Sequence, residues 1–122
     1  MAEKIRIVYL SDEYNEFYNS LDETSQNKVD KIINYIKTNK VIIAKYAKKL
    51  GNSKSDLYEI LVSSTNKREY RILSVCIDNL SITEATEILL LNGFLKKSNK
   101  DYKPAMKKAD KIIDNYFDEA NN

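Results

Sequence analysis

Two charged residues stand inside runs that otherwise read as buried. Glu59 lies in Leu57-Tyr58-Glu59-Ile60-Leu61-Val62-Ser63, and Arg71 in Arg68-Glu69-Tyr70-Arg71-Ile72-Leu73-Ser74-Val75-Cys76-Ile77. A charge within a strand ordinarily faces water, so one reading is the solvated outer face of a sheet and the other is a site built on that sheet. The chemistry open to such a site is narrow. Histidine is absent and Cys76 is the lone cysteine, so no zinc or transition-metal centre and no other cofactor is expected. Acid–base and electrostatic work then falls to Lys, Arg, Tyr and carboxylates. Because opposite charges on adjacent strands attract, Glu59 is read first as the partner that orients Arg71, and otherwise as a solvated charge or a general base.

These residues need a sheet to hold them. The runs Leu57 to Ser63 and Arg68 to Ile77, followed by Thr86 to Phe94, are β-branched or aromatic and separated by polar turns, which predicts an antiparallel meander closed by the basic step Lys96-Lys97. Upstream, Lys4 to Leu10 alternates, with Ile5, Ile7 and Tyr9 on one face and Arg6, Val8 and Leu10 on the other, and predicts a first strand at an edge. Ser11 caps a short helix bearing Tyr14, Phe17, Tyr18 and Leu21, and Asp22 caps a second bearing Val29, Ile32, Ile33 and Ile36. The two form a hairpin whose apolar stripes pack on the sheet. Ile43, Tyr46, Ala47 and Leu50 repeat the helical spacing, predicting two further turns that end at Gly51 with Lys48-Lys49 in the last turn. Ser98 to Lys103 reads as a polar connection. Pro104 then opens a final helix that buries Ala105, Ala109, Ile112, Ile113 and Tyr116, leaves Lys107, Lys108 and Lys111 outside, and frays from Asp118 to Asn122.

Length and composition bound the rest. The chain has 122 residues, which predicts a single domain over 1–122 with a real core and no need of staples. Cys76 sits among apolar neighbours as a core residue, so a disulfide framework is excluded and a reducing, cytoplasmic setting is expected. No signal peptide or membrane span is read. The net charge of +2 is unevenly spread: residues 40–71 and 96–111 each carry net +5. If those segments meet in space, the protein has a basic surface and an acidic back.

The order strand, helical hairpin, meander, C-terminal helix carries a set of motifs: Lys49-Leu50, Leu57-Tyr58-Glu59-Ile60, Tyr70-Arg71-Ile72-Leu73 and Leu90-Leu91-Asn92-Gly93-Phe94-Leu95-Lys96-Lys97-Ser98. Together these resemble the RelE/ParE superfamily of bacterial toxins, most closely its HigB-like, phage-associated branch. The resemblance implies an α+β fold, with an N-terminal strand and helical hairpin packed on a small antiparallel sheet beside a C-terminal helix. It also implies the toxin half of a type II toxin–antitoxin pair, whose partner is a small helix-turn-helix antitoxin and whose operator DNA is reached only through that partner. Many relatives enter the ribosomal A site and cut messenger RNA there without a metal, using the ribose 2′-hydroxyl as nucleophile. Carried onto this chain, the catalytic positions are Arg71, Lys96, Lys97 and Tyr102. Two positions depart from the pattern. Leu61, two residues after Glu59, stands where the family is often basic, and Asn92 where it often has histidine.

Such a cleavage needs a base at the 2′-hydroxyl, positive charge on the phosphorane oxygens and an acid for the 5′ leaving oxygen. Arg71 suits the second role because its planar fork stays charged and reaches two oxygens. Lys96 or Lys97 carries a proton only when crowded by other cations, since an unperturbed lysine titrates at about 10.4. Tyr102 can exchange a proton with the leaving oxygen. Lys48, Lys49 and Lys54 would hold RNA by charge, Arg68 is a phosphate contact at a turn or plain surface, and Phe94 is a core residue or a platform for a base. Two other readings stay open. One is a gyrase poison of the same superfamily, which needs no catalytic residues; the other is a non-catalytic relative that only binds its antitoxin.

Overall fold

The computed structural model describes residues 4–78 and 80–121. Its centre is a five-stranded sheet in the order β1-β5-β4-β3-β2, formed by β1 (Ile7–Leu10), β2 (Ala47–Lys49), β3 (Tyr58–Ser63), β4 (Glu69–Cys76) and β5 (Glu87–Lys96). The meander β3-β4-β5 is antiparallel, as the sequence predicts, while β1 lies at the edge and runs parallel to β5. Helices α1 (Asp12–Asn19) and α2 (Glu23–Thr38) start where Ser11 and Asp22 accept hydrogen bonds from the backbone N–H groups of Tyr14 and Ser25. Tyr14, Val29, Ile32, Ile33 and Ile36 pack on one face of the sheet against Ile60, Val62, Tyr70, Ile72, Ile88 and Leu90. On the other face lies α3 (Tyr102–Asn121), burying Ala105, Ala109 and Ile112 against Leu57, Leu73, Val75, Leu89 and Leu91. Cys76 is buried and unpaired. Among the described residues no helix is long and apolar enough to cross a membrane.

Three expectations are corrected. The segment Val41–Leu50 is not a helix. Tyr46 and Ala47 donate to the Ile43 carbonyl and close one turn, after which Ala47, Lys48 and Lys49 extend and pair with Ile60, Glu59 and Tyr58. Without β2 the outer edge of β3 would lack partners for its backbone groups, and that need outweighs a helical spacing only two turns long. Second, α3 begins two residues before Pro104. Ser98 and Asp101 form a capping box on a 3-10 turn (Asn99–Asp101) that leads straight into Tyr102, so proline falls within the first turn, where its missing N–H costs no bond. Third, α3 continues to Asn121 rather than fraying from Asp118; Asn122 lies outside the described residues.

Two local features aim the side chains of β5. Leu73 and Ser74 pair with Asn92 and Leu90, so Leu91 is an extra residue that shifts the alternation of the strand. Leu89 and Leu91 face α3 by simple alternation, and the bulge brings Asn92 and Phe94 beyond it to the same side. The second feature is Gly93. A Cβ there would meet the Phe17 ring at 2.4 Å, so only glycine lets α1 settle across β5.

Candidate functional site

Where α3 stops covering its face of the sheet, a cleft of about 730 Å³ opens between the first turns of α3 and the β2–β3 connection. At its floor Glu59 and Arg71 come together. Leu61 is directly opposite Arg71 and Leu73 directly opposite Glu59, so the two charges meet diagonally on one face of adjacent strands. Glu59 is 4% exposed and Arg71 6%, which settles their placement: neither lies on a solvated outer face. The Arg71 Nε is 3.6 Å from Glu59 Oε1.

Tyr102, at the start of α3, inserts its hydroxyl between them. Arg71 Nε donates to the Tyr102 oxygen at 3.2 Å, and the Tyr102 O–H donates to Glu59 Oε1 at 3.2 Å. Arg71 Nη1 donates to the Tyr70 carbonyl at 2.9 Å, and Nη2 lies 4.0 Å from Glu69. Burial raises the Tyr102 hydroxyl above its ordinary value, and the Arg71 hydrogen bond opposes the rise without cancelling it. Tyr102 is therefore a protonated donor at neutral pH. A buried ion pair of this kind is tolerated because its members are hydrogen-bonded as well as opposite in charge.

The rim is cationic. Lys48, Lys54, Lys96, Lys103 and Lys107 line the cleft with Arg71, against the two acids Glu59 and Asp110. Lys48 is there because it faces Glu59 across the β2–β3 register. Lys96 Nζ sits 5.5 Å over the Tyr102 ring. Phe94, opposite Arg71 on β5, meets Tyr102 edge to face at 5.4 Å and packs with the α3 core.

Other residues singled out in the sequence do not join this group. Lys97 is exposed and does not line the cleft. Lys49, one residue on from Lys48, belongs to the opposite strand face and pairs with Asp56 at 3.4 Å. Arg68 is exposed at the β3–β4 turn, close enough to Asp22 to add to the lowering of its carboxyl, which is due first to the Ser25 hydrogen bonds. Asn92, one of the two departures from the family pattern, is buried with its Nδ2 donating to the Ala105 carbonyl and its Oδ1 unpaired. Two lysines of the cleft escaped the sequence reading: Lys103, placed in a connection, and Lys107, placed on the solvent face of α3. Their spacing of four with Met106 and Asp110 between and beyond them was the available signal.

Comparison with known proteins agrees with this architecture. A family model described as phage-derived protein Gp49-like (DUF891) matches residues 16–114. No curated protein sequence is significantly similar to the chain. Among solved structures, a double arginine-to-alanine mutant of the Escherichia coli toxin RelE in the free state superposes with a TM-score of 0.58 at 18% identity, covering 88% of this chain and 98% of that one. With the RelE fold shared over most of the chain and the family model spanning residues 16–114, the chain belongs to the phage-derived Gp49-like family.

Proposed function

We propose that this protein is a HigB-like, ribosome-dependent toxin that cleaves messenger RNA through the ribose 2′-hydroxyl and is held in check by a small helix-turn-helix antitoxin. The observation that carries the reading is the buried Arg71, fixed at the floor of a cleft rimmed by five lysines, with the Tyr102 hydroxyl at 3.2 Å from its Nε. The rim attracts the RNA backbone, and the single fixed guanidinium marks where one phosphate is to be stabilised. Tyr102, kept protonated by burial, supplies a proton to the 5′ leaving oxygen. Lys96, above the Tyr102 ring, takes the proton of the 2′-hydroxyl and passes it to the Tyr102 oxygen, so that the proton lost at the nucleophile replaces the one given to the leaving group. Glu59 fixes the guanidinium plane. The cleft has no strong base of its own, so alignment of the 2′-hydroxyl falls to the ribosome, and cleavage is confined to transcripts under translation.

Induction of the chain alone is expected to arrest bacterial growth, with transcripts cut only while translated. Arg71→Ala is expected to abolish the arrest, since one well-aimed donor to a transition-state anion is worth about 10²- to 10³-fold. Antitoxin binding should persist. A thermal melt beside the growth assay separates a lost site from a lost fold. Undiminished arrest by a folded Arg71→Ala variant refutes the assignment, and intact transcripts with double-strand DNA breaks point to gyrase instead.

A further inference from the structure

In the structure the Nε side of Arg71 is already taken, and among the described residues Nη2 has only Glu69, 4.0 Å away. Its Nε is taken by the Tyr102 hydroxyl at 3.2 Å with Glu59 Oε1 at 3.6 Å, and its Nη1 by the Tyr70 carbonyl at 2.9 Å. A guanidinium grips a phosphate through two parallel N–H bonds, and it grips a carboxylate in the same manner. Glu59, linked to Nε through the Tyr102 hydroxyl rather than by such a fork, is the anion resident beside that seat. Leu61, directly across from Arg71, offers no alternative partner, and without Glu59 the buried guanidinium would keep as counter-ion, among the described residues, only Glu69, 4.0 Å from its Nη2.

We propose that Glu59 occupies, in the free protein, the place on Arg71 that a substrate phosphate takes, so that RNA binding is an exchange of one anion for another in which the Tyr102 hydroxyl and the first turn of α3 move aside. This rests on the reading of the cleft as an RNA site. Glu59 is then a specificity-determining residue. A lone anion gains too little at the buried guanidinium to displace it, whereas a phosphodiester chain that also meets the rim lysines Lys96 and Lys103 gains enough. The lock joins strand to helix: Glu59 and Arg71 belong to the rigid meander, Tyr102 to the start of α3, and only the latter can yield without breaking the sheet.

The test uses the full chain and an oligoribonucleotide carrying 2′-methoxy groups, which presents phosphates but no nucleophile, with the Arg71 Nε–H resonance as reporter. Glu59→Gln is expected to bind about tenfold more tightly than the natural protein, the order expected when a charge close to a partly screened site is removed. Asp110→Asn removes an equal charge from the same cleft but leaves the partners of Arg71 in place, and is expected to gain no more than about threefold. Adding Arg71→Ala to Glu59→Gln should cancel the larger gain. Tyr102→Phe, which takes away the bridging hydroxyl, should bind more tightly yet cleave more slowly, so that KM and kcat fall together; it carries the test if Glu59→Gln does not fold. Equal gains in Glu59→Gln and Asp110→Asn, a gain that survives Arg71→Ala, or no binding by any variant each overturn the exchange. Full toxicity of Arg71→Ala overturns the nuclease reading itself.

Discussion

Lys96 and Lys97 are neighbours in sequence and opposites in space. The alternation of β5 turns Lys96 toward the Tyr102 ring, 5.5 Å away, and leaves Lys97 exposed beyond the strand, outside the cleft. Lys96→Ala is expected to slow cleavage about 100-fold, the lower end of the range for a positioned proton carrier, while Lys97→Ala leaves single-turnover rates unchanged. Asn92 makes a second contrast. Its buried Oδ1 has no partner, so Asn92→Leu is expected to cost under about 1 kcal/mol in urea melts, because the lost bond to the Ala105 carbonyl is offset by the relieved oxygen. Asn92→Asp puts an unpaired charge in the same place and should cost about 3 kcal/mol or more. Glu59 and Arg71 were legible in the sequence because charge interrupts an apolar run, and that anomaly survives any shift of register. Arg6 was not. It alternates with exposed apolar residues and reads as surface, yet its guanidinium is buried and donates to the carbonyls of Ile36, Asn39, Lys40, Ile82 and Thr83. Saturation by backbone carbonyls leaves no mark in composition or spacing.

At the scale of the element, what the sequence revealed depended on how many residues vote. The meander and the helical hairpin are long runs whose periodicity and caps agree, and the structure reproduces them within a residue or two. The segment Val41–Leu50 misled because four apolar residues fit a helix while the decisive fact, an unpaired edge on β3, belongs to another part of the chain. The cleft depends on the outcome, for only an extended β2 sets Lys48 opposite Glu59 and sends Lys49 to the other face. The crossing of α1 over β5 turns on a single atom. Gly93→Ala is expected to destabilise the protein by about 1–3 kcal/mol in urea titrations, since the added methyl meets the Phe17 ring at 2.4 Å and the ring is itself packed against Tyr70. Phe17→Leu in the Gly93→Ala background should recover part of that loss, which a defect confined to the strand would not allow.

For the molecule as a whole, charge and burial set the response to solution conditions. Single-stranded RNA held by the rim should lose affinity linearly in log salt, and Lys103→Ala should lower the slope by about 0.7, the contribution of one phosphate contact. Alkali acts on the interior. Burial pushes the Cys76 thiol up to about 11 and raises the hydroxyls of Tyr14 and Tyr102 above their ordinary values. Each raised group favours the folded state fully at pH values below its unfolded pKa, and that contribution is lost as pH rises through the folded value. Urea midpoints should therefore hold to about pH 9 and decline toward pH 11. Cys76→Val should flatten the first part of that decline. The parallel pairing of β1 with β5 also has a consequence in time. Ile7 waits for Glu87, and the cleft waits for Tyr102, so a chain still being synthesised has neither a closed sheet nor a competent site. On the proposed reading, a nascent chain has no competent cleft until Tyr102 has left the ribosome and met Arg71. Nascent chains stalled with residue 85 outside the exit tunnel should remain sensitive to protease, and those released beyond residue 110 should not; early protection would show that β1 and the hairpin fold before β5 arrives.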